Sequence, residues 1–379
     1  MTRTRVLMVV EQLRRSTPGG IGTYARGLMQ GLGELDPGEA PEVELLASRP
    51  GRRGSGGGDP LAAYGYPVRS SVLPGPALTR AWDRGVLRAP TGFDVVHAVS
   101  LATLEPGDAA LVSTVHDLLW RRLPDAYPPR GRTWHEAALQ RALRRAERFI
   151  VSAEEVASDL EEAGAPRGAI RVIPMGCDHL PPPDLEAGAA LLERLGVHGP
   201  FLLSVGTLEP RKNLVRLTEA YRRIRGSLPE PWSLVLVGPT GWGERVNPEP
   251  GVVFAGMVSP GELSALYAMT RLLAYVPLIE GFGLPPVEAM VFGTPVVASP
   301  LPSTAGAAFE VDPQDSDSIA SGLLTVATDT AVRARLELAG RHRAAELRWS
   351  VIARSHVSVW DEVAAVSYTH LTLPTNREV

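Results

Sequence analysis

The sequence predicts two doubly wound α/β domains in tandem, and three observations support this. First, the chain has 379 residues, 44% of them hydrophobic, whereas a single core stops growing at about 250 residues. Second, short β-branched apolar runs alternate with helical stretches in both halves, as in parallel sheets with helical crossovers. Third, Pro181–Pro183 interrupts this pattern midway, because consecutive prolines continue neither a strand ladder nor a helix interior. We therefore expect domains over 1–182 and 183–348.

Eleven apolar runs predict the strands of the two sheets. Those of the first domain are Arg5–Val10, Val43–Ala47, Asp94–Ala98, Ala110–Val115, Arg148–Ser152 and Ile170–Ile173. Those of the second domain are Phe201–Val205, Ser233–Val237, Val252–Ala255, Arg271–Val276 and Pro295–Ala298. A last helix, predicted over 349–366, has apolar residues at helical spacing and should pack on a domain. The composition changes after Val366, so residues 367–379 are interpreted as a non-native tail.

Charge and cysteine content exclude several classes of function. The net charge of -4 gives no overall attraction to nucleic acid, so no nucleic-acid partner is expected. The single cysteine, Cys177, forms neither an intramolecular disulfide nor a cysteine-rich metal site, which fits a reducing, cytoplasmic compartment. The sequence shows no metal-ligand spacing, so neither a metal nor another cofactor is expected.

A glycine cluster follows the first predicted strand. Gly19, Gly20 and Gly22 open a helix predicted over Ile21–Gly33. Backbone amides and the helix dipole could face an anion there without an intervening side chain. A tight turn that binds nothing explains the cluster equally well, because the spacing is not the strict dinucleotide fingerprint.

A basic pair follows the first strand of the second domain. That strand leads through Gly206 to Arg211 and Lys212, at the sheet edge where doubly wound folds bind ligands. A guanidinium fork and an ammonium group beside a helix start suit two phosphates. A solvated basic pair is the alternative interpretation. Lys212 is the only lysine of the chain, and its placement at this edge favours function.

Two glutamates flank a glycine-containing loop after the strand Arg271–Val276. Glu280 is predicted to project from the strand end, and Glu288 to lie early in the next helix, where both carboxylates could accept hydrogen bonds from sugar or ribose hydroxyls. The loop amides could receive a phosphate. An ordinary first-turn glutamate is the alternative for Glu288. The loop consists of Gly281, Phe282, Gly283 and Leu284.

The first domain holds two further candidates. His116 ends the strand Ala110–Val115 and should face the crevice, although a lone histidine is more often structural. Eight arginines lie between Arg121 and Arg148. A solvated helix face is the favoured interpretation of these arginines. Contact with a phospholipid surface or an anionic acceptor is the alternative.

From about Arg5 to Ala365 the motifs resemble, in order, the retaining GT-B glycosyltransferases of family 4. The resemblance rests on GGIGTYARGL, STVHDLLW, IRVIPMGCD, SVGTLEPRKNL and, as the most specific, EGFGLPPVEAMVFGTPVVAS. It implies two Rossmann-like domains that face each other across a cleft, with the acceptor bound by the N-terminal domain and the nucleotide sugar by the C-terminal one. It also implies that the helix over 349–366 crosses back to the N-terminal domain.

The resemblance also implies roles for the donor-binding residues. Arg211 and Lys212 would hold the donor diphosphate, near Gly206 and the loop Gly281–Leu284. Glu288 would hold the nucleotide ribose, and Glu280 the hydroxyls of the transferred sugar.

Further implied roles concern the first domain and the chemistry. Gly19 and Gly20 would close on the phosphates, and His116 would lie beside the reacting carbon. Family members retain the anomeric configuration without a metal or a dedicated protein nucleophile. Catalysis would then rest on orientation and charge stabilisation. The catalytic candidates are His116, Glu280, Arg211 and Lys212.

One stretch departs from the family pattern. After Val297–Ser299 the family usually has a longer loop with a Pro-Glu pair, whereas this chain continues PLPSTAGAAFEVDP. Ser303 stands where that glutamate would be, which puts the edge of the donor pocket in doubt.

The leading hypothesis is a hexosyltransferase that uses GDP-mannose or another nucleotide sugar. Its acceptor would be a glycan or a lipid-linked glycan of the cell envelope, and the enzyme would be cytoplasmic, with peripheral contact to the inner face of the membrane as an option. A catalytically silent GT-B scaffold that binds a nucleotide sugar or a partner enzyme is the alternative. An NAD-dependent oxidoreductase is a third hypothesis, but the chain lacks a strict G-x-G-x-x-G followed by an acidic strand end.

Overall fold

The structure, a computed structural model, describes residues 3–15, 18–50, 59–230, 232–241 and 249–372. The chain divides into two compact units. The first unit comprises Met1–Gly176 and Trp349–Val379, and the second comprises Cys177–Arg348. The three consecutive prolines, where the sequence predicts the domain boundary, therefore lie near the start of the second unit.

A seven-stranded parallel sheet forms the centre of the first unit, in the order β3-β2-β1-β4-β5-β6-β7. Its strands are β1 (Arg5–Val9), β2 (Glu42–Ser48), β3 (Val68–Ser71), β4 (Val95–Ala98), β5 (Ala110–Val115), β6 (Arg148–Val151) and β7 (Ile170–Val172). The inner strands β4 and β5 are buried at every position, as expected for a sheet with both faces covered. The sequence does not predict β3, because this edge strand has a single apolar residue.

In the described part of the first unit, five α-helices lie between the strands. They are α1 (Gly19–Gly33), α2 (Gly75–Asp83), α3 (Leu119–Arg122), α4 (Pro129–Arg145) and α5 (Glu154–Glu162). Helix α1 begins two residues before its predicted start at Ile21. Gly19 has φ +59°, a conformation that a side chain would strain.

A six-stranded parallel sheet forms the centre of the second unit, in the order β10-β9-β8-β11-β12-β13. Its strands are β8 (Phe201–Val205), β9 (Ser233–Val237), β10 (Val252–Gly256), β11 (Leu272–Tyr275), β12 (Val296–Ala298) and β13 (Phe309–Glu310). Its helices are α6 (Leu185–Arg194), α7 (Leu214–Ile224), α8 (Pro260–Met269), α9 (Leu284–Val291), α10 (Ser316–Thr328) and α11 (Thr330–Glu346). The prediction of two doubly wound α/β sheets is confirmed, and the eleven predicted strands are present to within one residue at each end.

The last helix, α12 (Trp349–Thr372), belongs to the first unit and packs on α1. Trp349 is fully buried, and its indole occupies the space that a Cβ atom on Gly27 or Gly176 would need. The helix continues to Thr372, into the segment interpreted as a tail, and residues 373–379 lie outside the described part of the chain. Within the described ranges, no helix is both long and apolar enough to cross a membrane.

Candidate functional site

The site of the second unit lies where its strand order reverses. Strands β8 and β11 are neighbours, and the chain leaves β8 towards β9 on one side and β11 towards β12 on the other. The loops that follow two such strands diverge to opposite faces of the sheet and leave a crevice outside the carboxyl ends. The predicted residues Arg211 and Lys212 follow β8, and Glu280 follows β11.

The loop after β8 is held in place by buried hydrogen bonds. Pro210–Lys212 forms a single 3₁₀ turn, and Asn213 stops it with φ 59°. The Asn213 amide donates to the carbonyl oxygens of Val276 (3.0 Å) and Pro313 (2.7 Å). Asparagine tolerates this left-handed conformation better than most residues. The turn fixes the side chains of Arg211 and Lys212 against the segment that follows β11.

Arg211 and Lys212 converge on one carboxylate oxygen, Oε1 of Glu280. Arg211 Nη1 lies 2.6 Å from it, Lys212 Nζ is ion-paired with it, and the Tyr275 hydroxyl donates to it at 2.8 Å. Lys212 also donates to the Tyr275 hydroxyl at 2.8 Å, and Arg211 Nη2 bonds Glu209 at 2.6 Å. No described residue donates a hydrogen bond to Oε2 of Glu280. Oε1 of Glu280 therefore binds the two cations, and Oε2 is available to a ligand.

The electrostatics of this cluster follow from burial and pairing. Burial raises the pKa of Glu280, but the charges of Lys212 and Arg211 outweigh it and lower the pKa to about 2. Burial likewise raises the pKa of Tyr275 well above its usual value, and the neighbouring Glu280 carboxylate raises it further. Glu280 is thus ionised and Tyr275 neutral at pH 7.

Glu288 lies in α9, buried and engaged on both carboxylate oxygens. The Tyr267 hydroxyl, from α8, donates to Oε2 at 2.8 Å, and His179 Nε2 lies 3.1 Å from Oε1. Burial and the Glu288 charge raise the pKa of Tyr267 well above its usual value. Each carboxylate oxygen keeps a second lone pair, so a ribose hydroxyl could still bind.

The loop Gly281–Leu284 is buried and leads into α9, so its last amides belong to a helix start without intrahelical partners. Gly283 has φ +90°, and a Cβ atom there would lie 3.1 Å from Leu301 and 3.2 Å from the Ser303 hydroxyl. Ser303 is fully buried, and its hydroxyl has no hydrogen-bond partner among the described residues. The segment that departs from the family pattern therefore packs directly under this loop.

The first unit holds the remaining predicted residues. Gly19 and Gly20 are exposed at the start of α1, with no atom within 4 Å of a Cβ added to either. His116 follows β5, lies 2.9 Å from the carbonyl oxygen of Val99 through Nε2, and packs edge-on against Tyr24 at 5.0 Å between ring centroids. Burial lowers the pKa of His116. Asp117 accepts from the amide of Leu119 at 3.1 Å, so it caps the following turn.

Sequence reasoning missed Glu209, Tyr267, Tyr275 and His179. Tyr275 carried a weak signal, because a tyrosine at the end of a buried strand needs a partner for its hydroxyl. The partner of Tyr267 lies on another helix, and nothing in the local sequence of Tyr267 or His179 points to Glu288. Among the described residues, no three histidine, cysteine, aspartate or glutamate side chains are grouped so as to hold a metal ion.

Two family models match the chain. The model described as Glycosyltransferase Family 4 matches residues 18–179, and the model described as Glycosyl transferases group 1 matches residues 194–343. The chain belongs to the group 1 and family 4 glycosyltransferases. The predicted family resemblance is thereby confirmed.

The chain is similar to curated mannosyltransferases. It is 29% identical over 253 residues to the O-antigen chain mannosyltransferase B of Escherichia coli, a match that covers 63% of this chain and 66%, slightly under two thirds, of that protein. It is 28% identical over 415 residues to the MMP alpha-(1->4)-mannosyltransferase of Mycolicibacterium hassiacum, which covers 92% of this chain and 95% of that protein.

Solved glycosyltransferase structures share the fold. Sucrose-phosphate synthase from Thermosynechococcus elongatus matches with a TM-score of 0.73 at 20% identity, covering 96% of this chain and 100% of that chain. The Anabaena protein HepE in complex with UDP and glucose matches with a TM-score of 0.69 at 19% identity, covering 95% of this chain and 100% of that chain. These likenesses show the GT-B type of fold.

Proposed function

We propose that the chain is a retaining hexosyltransferase that transfers a sugar, with mannose favoured, from a nucleotide-diphosphate sugar to a hydroxyl of a glycan or glycolipid. The observation that carries this proposal is the convergence of Arg211 and Lys212 on Glu280 at the strand reversal of the second unit. The two mannosyltransferase relatives favour mannose as the transferred sugar, and the O-antigen chain enzyme favours a glycan as product. The UDP bound to HepE supports a nucleotide donor.

Charge balance indicates how the donor would bind. Two cations, Arg211 and Lys212, face two carboxylates, Glu209 and Glu280, so the cluster by itself carries almost no net charge. A diphosphate therefore has to compete with Glu280 for both cations. In our proposal Arg211 and Lys212 release Glu280 and bind the phosphates. Glu280 then accepts hydrogen bonds from the hydroxyls of the transferred sugar. The free Oε2 of Glu280 is the first position at which such a hydroxyl can bind.

Catalysis would then rest on charge stabilisation and orientation. Arg211, Lys212 and the amides of Gly281–Leu284 would stabilise the leaving diphosphate, in place of a metal ion. The acceptor hydroxyl would attack the anomeric carbon on the face from which the diphosphate leaves, so that the new C–O bond forms as the bond to the phosphate oxygen breaks. The leaving phosphate would take the hydroxyl proton, and the configuration would be retained without a protein nucleophile. Glu288, supported by Tyr267, would hold the ribose. Roles for Gly19, Gly20 and His116 near the phosphates and the sugar stay predictions from the family resemblance.

Two variants test this arrangement because they should change the affinity for GDP in opposite directions. Lys212→Ala should weaken GDP binding by about 2–5 kcal/mol, since a desolvated phosphate loses its partner. Glu280→Gln should tighten GDP binding by about 1 kcal/mol, because a competing negative charge is removed near the phosphates. Transfer from GDP-mannose should nevertheless fall in Glu280→Gln, because the sugar loses a charged acceptor.

Isothermal calorimetry with GDP, UDP and ADP measures the affinities, with the exposed Arg335→Ala as a control of equal charge change to Lys212→Ala. Weaker GDP binding in both site variants, or unchanged binding in both, would contradict the arrangement. Proton NMR of the product tests retention, since an inverted anomeric centre is incompatible with the proposed mechanism. Nucleotide binding without transfer to any acceptor would favour the silent scaffold.

A further inference from the structure

A groove of about 1620 Å³ opens in the first unit, outside the carboxyl ends of β1, β2 and β3. The segment after β1, the end of β2, and the starts of α2 and α4 line it. Sites for drug-sized ligands usually have about 300–1,000 Å³. The groove therefore has room for a ligand larger than one sugar, and it shares no residue with the donor site proposed for the second unit.

Arginines without ion pairs surround this groove. Within the described ranges, four of its arginines have no acidic partner, and all four are exposed: Arg15, Arg49, Arg80 and Arg130. The neighbouring helical region differs. Five of the eight arginines between Arg121 and Arg148 are paired with acids, as Arg121 is with Glu136 at 2.6 Å. Most arginines of that stretch are neutralised locally. Of the five arginines that line the groove in the described part of the chain, only Arg14 is ion-paired, with Asp59, and the other four, Arg130 among them, are not.

The acidic groups that line the groove are already engaged elsewhere. Glu11 is buried and accepts from the Ser48 amide at 2.6 Å and the Ser48 hydroxyl at 2.9 Å. Asp83 is ion-paired with Arg141 and accepts from Trp134 Nε1 at 3.1 Å. These acids are thus held by fixed donors in the protein. The exposed arginines leave the groove positively charged, in a chain whose net charge is -4.

Aromatic side chains lie beside these cations. Trp134 and His135 both line the groove, with their ring centroids 5.0 Å apart, and His135 stacks on Trp120 at 4.8 Å. His135 Nδ1 is buried without a hydrogen-bond partner among the described residues. The pKa of His135 is lowered, mainly by burial. The charge of Asp117 partly offsets this effect, and the charge of Arg15 adds to it. Flat aromatic surface beside a few polar groups is typical of small-molecule sites.

From these observations we propose that the groove binds the acceptor, and that the acceptor is a glycan or glycolipid that carries a phosphate. Guanidinium groups match phosphate oxygens in bidentate geometry and suit this anion better than a point charge does. Helices α2 and α4 both begin at the groove, and the positive ends of their dipoles add to the field. This inference rests on the proposed function, since it names the acceptor class of that enzyme.

The test compares two double variants of equal charge. Arg80→Gln/Arg130→Gln removes two groove arginines, and Arg84→Gln/Arg144→Gln removes two exposed arginines at the end of α2 and on α4, outside the groove. Both are made in the Lys212→Ala background, so that the second unit contributes little phosphate binding. Binding is measured with mannose 6-phosphate against methyl mannoside, and with phosphatidylcholine vesicles that contain or lack phosphatidylglycerol.

Preference for the phosphate-bearing probe is expected in one of the two arms. If the natural ligand is a soluble sugar phosphate, the protein should prefer mannose 6-phosphate to methyl mannoside. If it is a lipid headgroup, the protein should prefer the vesicles that contain phosphatidylglycerol. The groove variant should lose about tenfold or more of this affinity, and the control variant should keep it. No preference in either arm, or equal loss in both double variants, would overturn the inference. Because GDP binding by wild type and Lys212→Ala is measured separately, failure of the donor assignment would be recognised independently.

Discussion

The two units bury opposite kinds of polar chemistry. In the second unit a buried carboxylate, Glu280, meets two cations within one crevice. In the first unit the buried polar layer between the sheet and helices α1 and α12 is neutral. The Tyr24 hydroxyl lies 2.6 Å from His356 Nε2 and 2.9 Å from the Thr114 hydroxyl, which in turn lies 2.9 Å from His97 Nε2.

We infer from this difference that the buried polar groups of the first unit serve stability and those of the second unit serve ligand binding. Buried ion pairs contribute little net stability, because desolvation offsets their attraction. A neutral hydrogen-bonded network instead fixes one packing arrangement, and in the first unit it links α12, through His356, to α1 and β5. We therefore expect changes in the neutral layer to affect stability, and changes in the charged layer to affect binding.

The largest expected effect concerns the closing helix. Trp349→Ala removes a fully buried indole between α1 and the segment that ends at Gly176, and it should lower the free energy of unfolding of the first unit by about 3–5 kcal/mol. Urea unfolding measures this, with the exposed Val351→Ala on the same helix as control. GDP affinity of the folded variant should be unchanged, and a large loss of affinity would contradict the separation of roles.

The second prediction concerns pH. Burial lowers the pKa of His356 to about 4, and burial also lowers the pKa of His97 and His116. A histidine whose pKa in the folded state lies below its unfolded value of about 6.5 contributes its full stability above about pH 6.5. This contribution is lost as the pH falls towards the folded pKa, and for His356 it is on the order of 3 kcal/mol. Glu280, with its pKa of about 2, contributes stability that is lost only below about pH 4.3.

The first unit should consequently lose stability between pH 6.5 and 4, before the ion cluster of the second unit is protonated. Hydrogen exchange of each unit at pH 7, 5.5 and 4 measures this order. His356→Gln should remove part of the dependence of the first unit, because glutamine does not titrate in this range. Parallel loss of protection in both units would contradict the comparison.

The third prediction concerns Glu288. Tyr267→Phe should weaken GDP binding by about 1.5–3 kcal/mol, the usual contribution of a hydrogen bond to a charged group, and should leave pyrophosphate binding unchanged. Tyr221→Phe is the matched control, because the buried Tyr221 hydroxyl donates to the carbonyl oxygen of Trp232 at 2.6 Å, away from Glu288. Equal loss of GDP affinity in both variants would indicate a general packing effect.

The smallest effect is expected at Ser303. Ser303→Ala removes a buried hydroxyl without a described partner, so stability should change by less than about 1 kcal/mol and could rise slightly. Donor affinity should also persist. A strong loss of GDP binding would show that the short loop under Gly283 contributes a polar contact to the donor.

The regular part of the fold was predictable from sequence. The eleven predicted strands were recognised because parallel strands buried on both faces form continuous apolar runs. The edge strands β3 and β13 escaped prediction, because the first has few apolar residues and the second is two residues long. The start of α1 at Gly19 also escaped, since glycine has a low helix propensity.

The charged half of the candidate site was also predictable, and its neutral partners were not. Arg211, Lys212 and Glu280 each follow a strand, and doubly wound topology brings such loops to one edge. Tyr267 and His179 reach Glu288 through tertiary packing alone. The ion pairing of Glu280 with both cations was likewise not expected. The family resemblance implies that Arg211 and Lys212 bind the diphosphate and that Glu280 binds the transferred sugar, so the three residues were not expected to contact each other.

Hydrogen exchange with and without GDP would locate the bound nucleotide within the chain, and so test whether Arg211 and Lys212 hold its phosphates. Bound GDP should slow exchange in the loops 206–213 and 277–288 of the second unit, and Lys212→Ala should abolish this protection. Protection confined to the first unit, or protection of these loops that persists in Lys212→Ala, would contradict this assignment.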